Sequence, residues 1–86
     1  MASYNLEIKR SAARELGQVP PKDRRRIVTR IQSLAQDPRP PGAEKLSGQE
    51  RYRLRQGDYR ILYEIEDDVL RVIVVKIGHR RDVYRR

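Results

Sequence analysis

Residues 51–66 constrain the fold most, because they have the pattern of a β-hairpin over their whole length. Apolar and polar residues alternate on both sides of Gly57 and Asp58, a period of two that is typical of strands with one buried face. Glycine at the first turn position suits a two-residue type II′ loop, which needs a positive φ there. The sequence therefore predicts two antiparallel strands joined by a tight turn.

A two-residue loop also decides which hairpin residues face each other. Arg55 then faces Arg60 and Arg53 faces Leu62, whereas a three-residue loop would pair Arg55 with Tyr59. Like charges directly opposite each other cost about 0.2–1 kcal/mol in a sheet. Because this arrangement is poor for stability and well suited to holding an anion, the three arginines are candidate site residues.

Composition narrows the class of protein. The 86 residues are enough for one domain, residues 1–86, with a modest core. There is no cysteine and a single histidine, His79, which argues against disulfides and against a zinc site, and no cofactor is expected. The net charge of +8, mostly from arginine, favours a nucleic acid or an acidic protein as partner. With no signal peptide and no apolar stretch of about 20 residues, we expect a cytoplasmic protein without membrane contact.

Two helices are predicted after a short strand at residues 4–8. Ser11 is a candidate N-cap for the first helix, which closes near Gly17. The second begins at Pro20-Pro21, carries an apolar stripe at helical period, and ends at Asp37 because a proline follows. A short connection predicts that the two form an αα-hairpin lying on the sheet.

The remaining chain is predicted as a loop followed by strands. Residues 38–50 are a loop by their proline and glycine content, and residues 69–77 are a β-branched run that is typical of a central strand with both faces covered. A two-residue turn at residues 67–68 would place Glu64 opposite Arg71, a favourable pair.

This register predicts the two faces of the sheet. The face beneath the helices would carry Ile61, Tyr63, Ile65, Leu70, Val72 and Val74. The open face would carry Arg53, Arg55, Arg60, Val75 and Ile77. The strand at residues 51–56 is expected at the outer edge. The order β-α-α-β-β-β predicts an α+β fold, with a small, mainly antiparallel sheet and an αα-hairpin packed on one face.

A second basic cluster follows the last strand and contains His79 and Arg80, with Tyr84 close behind. If strand geometry continues past Gly78, His79 points towards the arginines and is a candidate acid or base. Tyr84 either docks the tail or stacks on a nucleobase, an interaction worth about 1–3 kcal/mol. Such a surface suits phosphodiester cleavage without a metal, in which the 2′-hydroxyl of the substrate attacks phosphorus and arginines neutralise the growing charge.

Three stretches resemble the RelE toxin family of bacterial and archaeal toxin–antitoxin pairs: R-Y-R-L-R-Q-G-D-Y-R-I-L-Y-E-I at residues 51–65, the apolar last strand, and G-H-R-R-D-V-Y-R at residues 78–85. The resemblance implies a RelE-like fold and a ribosome-dependent endoribonuclease that cuts mRNA codons in the A site. It also implies a RelB-like antitoxin that wraps the toxin, with operator DNA bound only through the antitoxin complex. The implied roles are two basic strand residues, a phosphate-binding arginine, a leaving-group arginine and a tail tyrosine, which fall in that order on Arg53, Arg55, Arg60, Arg80 and Tyr84.

One departure from the family concerns the base. The family's best-studied members carry lysines where this chain has Arg53 and Arg55, and arginine does not readily give up a proton. The base is then Tyr84 or His79, or proton transfer is assisted by solvent or the ribosome. Two alternatives to a RelE-like nuclease stay open. The first is a ParE-like toxin; such toxins share the fold, lack this cationic and tyrosine set, and act on DNA gyrase. The second is a non-catalytic module that binds nucleic acid or acts as an operon co-repressor.

Overall fold

A computed structural model of the chain describes residues 3–46, 48 and 50–79. Within these residues the elements are β1 Asn5–Ile8, α1 Arg10–Gly17, α2 Pro21–Ser33, β2 Glu44–Lys45, β3 Arg51–Gln56, β4 Tyr59–Glu66 and β5 Arg71–His79. The strands form one sheet in the order β1-β5-β4-β3-β2, with β1 parallel to β5 and all other neighbours antiparallel. The predicted α+β fold with a mainly antiparallel sheet is confirmed.

Both helices are present, but each differs from the prediction at one end. Ser11 is not the N-cap of α1: the cap is Lys9, which is extended and whose amide donates to the Val74 carbonyl at 2.9 Å. That bond continues the β1–β5 pairing, so the helix begins at the next residue. Helix α2 starts at Pro21, within the predicted Pro20-Pro21 pair, but ends at Ser33, because the following amides bond three residues back and tighten the last turn.

The central hairpin has the predicted register. Arg55 pairs with Arg60 and Arg53 with Leu62, across a two-residue turn in which Gly57 has a φ of +60°. That angle is the one for which the type II′ turn needs glycine. Strand β3 is not the outer strand, however. The two residues of β2, within the predicted loop, pair with β3 and cover its edge.

The turn between β4 and β5 is wider than predicted. It takes four residues, 67–70, and its last residue, Leu70, is 36% exposed at a φ of +53° rather than buried beneath the helices. Arg71 therefore faces Glu66 and not Glu64, with Arg71 Nε 3.1 Å from the Glu66 carboxylate. The cause lies in Asp67, whose carboxylate is held by side chains from two other parts of the chain.

Those side chains form a clamp at this end of the sheet. Arg39 donates from both terminal nitrogens to Asp67, at 3.2 and 2.9 Å, and Tyr4 donates its hydroxyl to the same carboxylate at 2.7 Å. The Arg39 guanidinium, then the Tyr4 hydroxyl, lowers the pKa of Asp67 to about 2. Nearby, the buried Tyr63 hydroxyl donates to the Pro38 carbonyl at 2.8 Å, and burial raises the pKa of Tyr63 to about 12. The clamp thus fixes the loop that leads into β2.

A β-bulge in β5 makes part of the predicted assignment of residues to the two faces of the sheet wrong. Leu62 pairs with Lys76 while its neighbour Tyr63 pairs with Val74, so Val75 is an extra residue. The Ile77 amide donates to Glu15 of α1 at 3.0 Å, and Lys76 donates to the same carboxylate at 2.9 Å.

Beyond the bulge, the alternation of side chains is inverted. Ile77 is 1% exposed and lies in the main core, not on the open face. It is buried there with Ile61, Ile27 of α2 and Leu34, the residue just after that helix. Val75 does lie on the open face, where it packs with Leu62 in a small second cluster.

Candidate functional site

Three arginines of the central hairpin meet at one shallow cavity on the open face of the sheet. The cavity has a volume of about 410 Å³ and is lined by Gly42, Glu44, Arg53, Arg55 and Arg60. The paired strands bring the arginines together because residues that face each other, and residues two apart, share a face of a sheet. The sequence prediction that these three lie together is correct.

Arg60 is partly buried. Its cross-strand neighbours are Arg55 on β3 and Gly78 on β5, and the glycine has no side chain to cover it. Its Nη1 is buried and finds no hydrogen-bond acceptor among the described residues. A buried N–H of a charged group without an acceptor is costly. Arg60 itself lines the cavity, where its guanidinium can bind an anionic oxygen.

Arg55 is exposed and is held by its own turn. Its Nε donates to the Gly57 carbonyl at 3.2 Å, which ties the side chain to the end of the hairpin. Gly42, just before β2, also lines the cavity. Its φ of +92° is one that only glycine adopts readily, and the space beside it is open. Because Arg55 is exposed and Gly42 has no side chain, the cavity is accessible to solvent between these two residues.

Arg53 forms an ion pair with Glu44, its direct cross-strand partner on β2. The Arg53 guanidinium, and more weakly that of Arg60, lowers the pKa of the Glu44 carboxyl, which is therefore ionised at neutral pH. Sequence reasoning missed this residue, because Glu44 lies in a segment predicted to be a loop. The only signal in the sequence was the pair of charged residues Glu44 and Lys45 before β3, and two charged residues do not by themselves indicate a paired strand.

His79 does not lie with the arginines, which corrects the prediction. It pairs with Tyr59 of β4, and the two rings meet edge to face with centroids 5.6 Å apart. Since Tyr59 and Ile77 belong to the face beneath the helices, His79 lies on that face too. It lines a separate depression of about 270 Å³ beside α1, together with Glu15. The bulge, which inverts the alternation along β5, is the physical reason.

The two remaining predicted site residues, Arg80 and Tyr84, lie outside the described residues. Their assignment rests on the resemblance alone, as do their roles. Within residues 3–46, 48 and 50–79, no three His, Asp or Glu side chains come close enough together to hold a metal ion. In the same part of the chain, neither helix is long and apolar enough to cross a membrane.

A second basic surface lies on α2, on the opposite side of the hairpin end. It is an open depression of about 480 Å³ lined by Lys22, Arg25, Arg26, Thr29, Arg30 and Gln56. Arg24, near the start of the helix, does not line this depression and instead donates to the Gly17 carbonyl at 3.4 Å. This basic depression includes Gln56 and the arginine cavity includes Arg55. Because these two residues are adjacent at the end of β3, the two cationic surfaces meet at the tip of the hairpin.

Known proteins resemble this chain over nearly its full length. A family model described as the ParE toxin of type II toxin–antitoxin systems, parDE, matches residues 6–84. Toxin RelG of Mycobacterium tuberculosis is 31% identical over 96% of this chain and 98% of its own length.

Solved structures agree with this relationship. The RelE–RelB complex of Pyrococcus horikoshii superposes with a TM-score of 0.83 and 25% identity, over 94% of this chain and 99% of that one. The intact RelBE complex of E. coli gives a TM-score of 0.77 and 25% identity, over 90% and 96% of the two chains. The chain therefore belongs to the RelE/ParE family of toxins of type II toxin–antitoxin systems, and its structural neighbours are RelE toxins.

Proposed function

We propose that this toxin is a ribosome-dependent endoribonuclease that cleaves mRNA in the A site without a metal. The observation that carries the proposal is the cavity lined by three arginines, Arg53, Arg55 and Arg60. Fixed positive charge suits a substrate that supplies its own nucleophile, because the cavity then holds the phosphate and neutralises its charge but need not provide the attacking group. The 2′-hydroxyl of RNA is such a nucleophile, and DNA lacks it.

The reaction is an intramolecular displacement at phosphorus. The 2′-oxygen forms a bond to phosphorus and the bond to the 5′-oxygen breaks, so the products are a 2′,3′-cyclic phosphate and a 5′-hydroxyl. One proton leaves the 2′-hydroxyl and one is delivered to the departing oxygen. Negative charge grows on the phosphoryl oxygens, where Arg60 and Arg53 neutralise it, and this stabilises the transition state.

Proton transfer is assigned to the C-terminal tail. The cavity arginines stay protonated at any working pH and cannot act as the base. His79 lies on the other face of the sheet, so we give it no part in this step. In the proposal Tyr84, as its phenolate, takes the proton from the 2′-hydroxyl. Arg80 neutralises the leaving oxygen, and water delivers the proton that this oxygen takes up.

A RelB-like antitoxin is the proposed partner. The RelB-bound structures of the neighbours support it, as does the net charge of +8, which would attract an acidic segment. In the proposal this segment covers the arginine cavity or displaces the tail, and the complex, not the free toxin, binds operator DNA. Association should be fast and should slow markedly with added salt, and a rate independent of salt contradicts recruitment by charge.

The test is cleavage of mRNA on purified, programmed ribosomes, read by mapping the 5′ ends. Wild-type protein should cut within A-site codons in the presence of EDTA at a concentration that leaves ribosomes intact. Arg60→Ala should lower the rate about 10²–10³-fold, as removal of an oxyanion donor does, and Arg60→Lys should recover part of it. Arg71→Ala removes the same charge at the other end of the sheet and should leave cleavage unchanged. Uncut mRNA with wild-type protein refutes the nuclease proposal.

One observation favours a second candidate. The matching family model is that of ParE toxins, and the ParE-like alternative acts on DNA gyrase. Expression of the toxin without its partner distinguishes the two. Growth arrest with cut mRNA supports the nuclease, whereas arrest with intact mRNA and trapped gyrase–DNA complexes supports the gyrase reading.

A further inference from the structure

We propose that Glu44 is a displaceable counterion of the arginine cavity. In the free protein its carboxylate occupies the place at Arg53 that a phosphate of the RNA takes on binding, and it must move away before that phosphate can enter. This inference rests on the proposed function for the identity of the ligand as RNA, and it adds a residue that sets how tightly the cavity holds phosphate.

The position of Glu44 supports this role. It faces Arg53 directly across the β2–β3 pair and forms an ion pair with it, and both residues line the cavity with Arg60. A carboxylate and a phosphate make the same forked contact to a guanidinium, so one can substitute for the other. Opposite charges across a strand pair also stabilise the short β2, which offsets part of the repulsion among the arginines.

The contact is also weak enough to break. The Glu44 side chain is 64% exposed and belongs to a strand of only two residues. Exposed ion pairs contribute about 0–1 kcal/mol, because water competes for both charges. A phosphodiester that contacts Arg53 together with Arg60, which also lines the cavity, gains charge-assisted hydrogen bonds to Arg60 that Glu44 does not make.

A carboxylate beside a substrate could instead be the proton acceptor. The observations favour the counterion, because contact with Arg53 lowers the pKa of the Glu44 carboxyl and makes it a poorer base. The two roles give opposite results on substitution. Removing a counterion tightens phosphate binding, whereas removing a base leaves binding unchanged and stops cleavage.

The experiment compares Glu44→Gln with wild-type protein in binding a fluorescent 2′-O-methyl RNA trinucleotide, which 2′-attack cannot cleave. Glu50→Gln is the matched control: it removes the same charge from a residue that is paired with Lys45 at 3.7 Å and does not line the cavity. Fluorescence anisotropy at low salt should show Glu44→Gln binding about 3–5-fold tighter than Glu50→Gln, the factor that corresponds to loss of a competing exposed pair. When Arg53→Gln is added to both variants, the proteins carrying Glu44→Gln and Glu50→Gln should bind the probe with equal affinity.

Three results overturn the inference. Equal affinities of Glu44→Gln and Glu50→Gln mean that the carboxylate does not compete with phosphate. A 10²-fold or greater loss of ribosomal cleavage in Glu44→Gln, with unchanged RNA affinity, makes Glu44 the base. Failure of both wild type and Glu44→Gln to bind the probe means that the cavity holds no phosphate. The first and third results come from binding measured without ribosomes, so they are independent of whether wild-type protein cuts mRNA.

Discussion

The facing pair Arg55 and Arg60 should destabilise the protein that carries it. A double-mutant cycle with Arg55→Gln and Arg60→Gln isolates the interaction between the two charges from the loss of each side chain's other contacts. The same hairpin offers a control of opposite sign. Arg51 and Glu64 face each other on the same two strands and the same face, with Arg51 Nε 3.0 Å from the carboxylate.

The expected magnitudes follow from the geometry of the two pairs. Cross-strand charges of like sign destabilise by about 0.2–1 kcal/mol and those of opposite sign stabilise by a similar amount. The two coupling energies should therefore differ in sign and be separated by about 0.4–2 kcal/mol. In thermal unfolding, a change of 0.2–1 kcal/mol in a domain of this size corresponds to a Tm shift of about 1–8 °C.

Urea denaturation of the seven proteins in the two cycles, which share the wild type, measures both couplings. Each cycle is run at about 0.01 M and 1 M salt, where the screening length falls from about 30 Å to about 3 Å. Both couplings should shrink at high salt, because these side chains are partly exposed. In parallel, RNA-binding affinity should fall with Arg55→Gln while stability rises or stays level.

Stabilising coupling between Arg55 and Arg60 would refute the reasoning. It would mean that the two guanidinium groups stack or share an acceptor, so the pair is not a cost to the fold. A coupling that does not change with salt, in a cycle where the Arg51–Glu64 coupling does, would refute the electrostatic origin.

Further predictions concern buried and titrating groups. Tyr63→Phe leaves a buried loop carbonyl without its donor and should cost about 1–3 kcal/mol of unfolding free energy in urea titrations, whereas Tyr52→Phe, at an exposed contact, should cost less than about 0.5 kcal/mol. The pKa of Asp67 is lowered from 3.8 to about 2, so the stabilisation from its ionised carboxylate is complete above pH 3.8 and is lost as pH falls through about 2. Asp67→Asn should remove the fall in the urea midpoint that this protonation causes. Tyr84→Phe should slow ribosomal cleavage at least about 10²-fold with ribosome binding unchanged, and a near-normal rate contradicts proton transfer by its hydroxyl. His79→Gln should leave the acid limb of the pH–rate profile of cleavage in place, and loss of that limb would show that His79 is the base.

Local pattern predicted the parts of the molecule whose causes are local. The register of the central hairpin follows from Gly57 and from alternation on either side of it, and both lie within a few residues of one another. The gathering of Arg53, Arg55 and Arg60 is a direct consequence of that register. The apolar stripe of α2 likewise predicted a helix that buries Ile27 and Leu34 against the sheet.

Contacts between distant parts of the chain decided the rest. Asp67 lies in a four-residue turn because Arg39 and Tyr4 hold its carboxylate, 28 and 63 residues away in sequence. Glu15, 62 residues from Ile77, accepts the amide of the bulged strand, and that bulge places His79 on the face away from the arginines. No pattern within residues 51–79 contains this information.

The candidate site divides in the same way. Its positive charges were readable from residues 51–60, whereas Glu44 joins them only because β2 pairs with β3 in the folded protein. Two residues carry too little periodicity to predict a strand, and their pairing depends on a loop that Tyr63 anchors through the Pro38 carbonyl. The sequence by itself determined where the cations lie; the tertiary structure alone decided which of them has a counterion, because that depends on which distant backbone lies alongside the edge of β3.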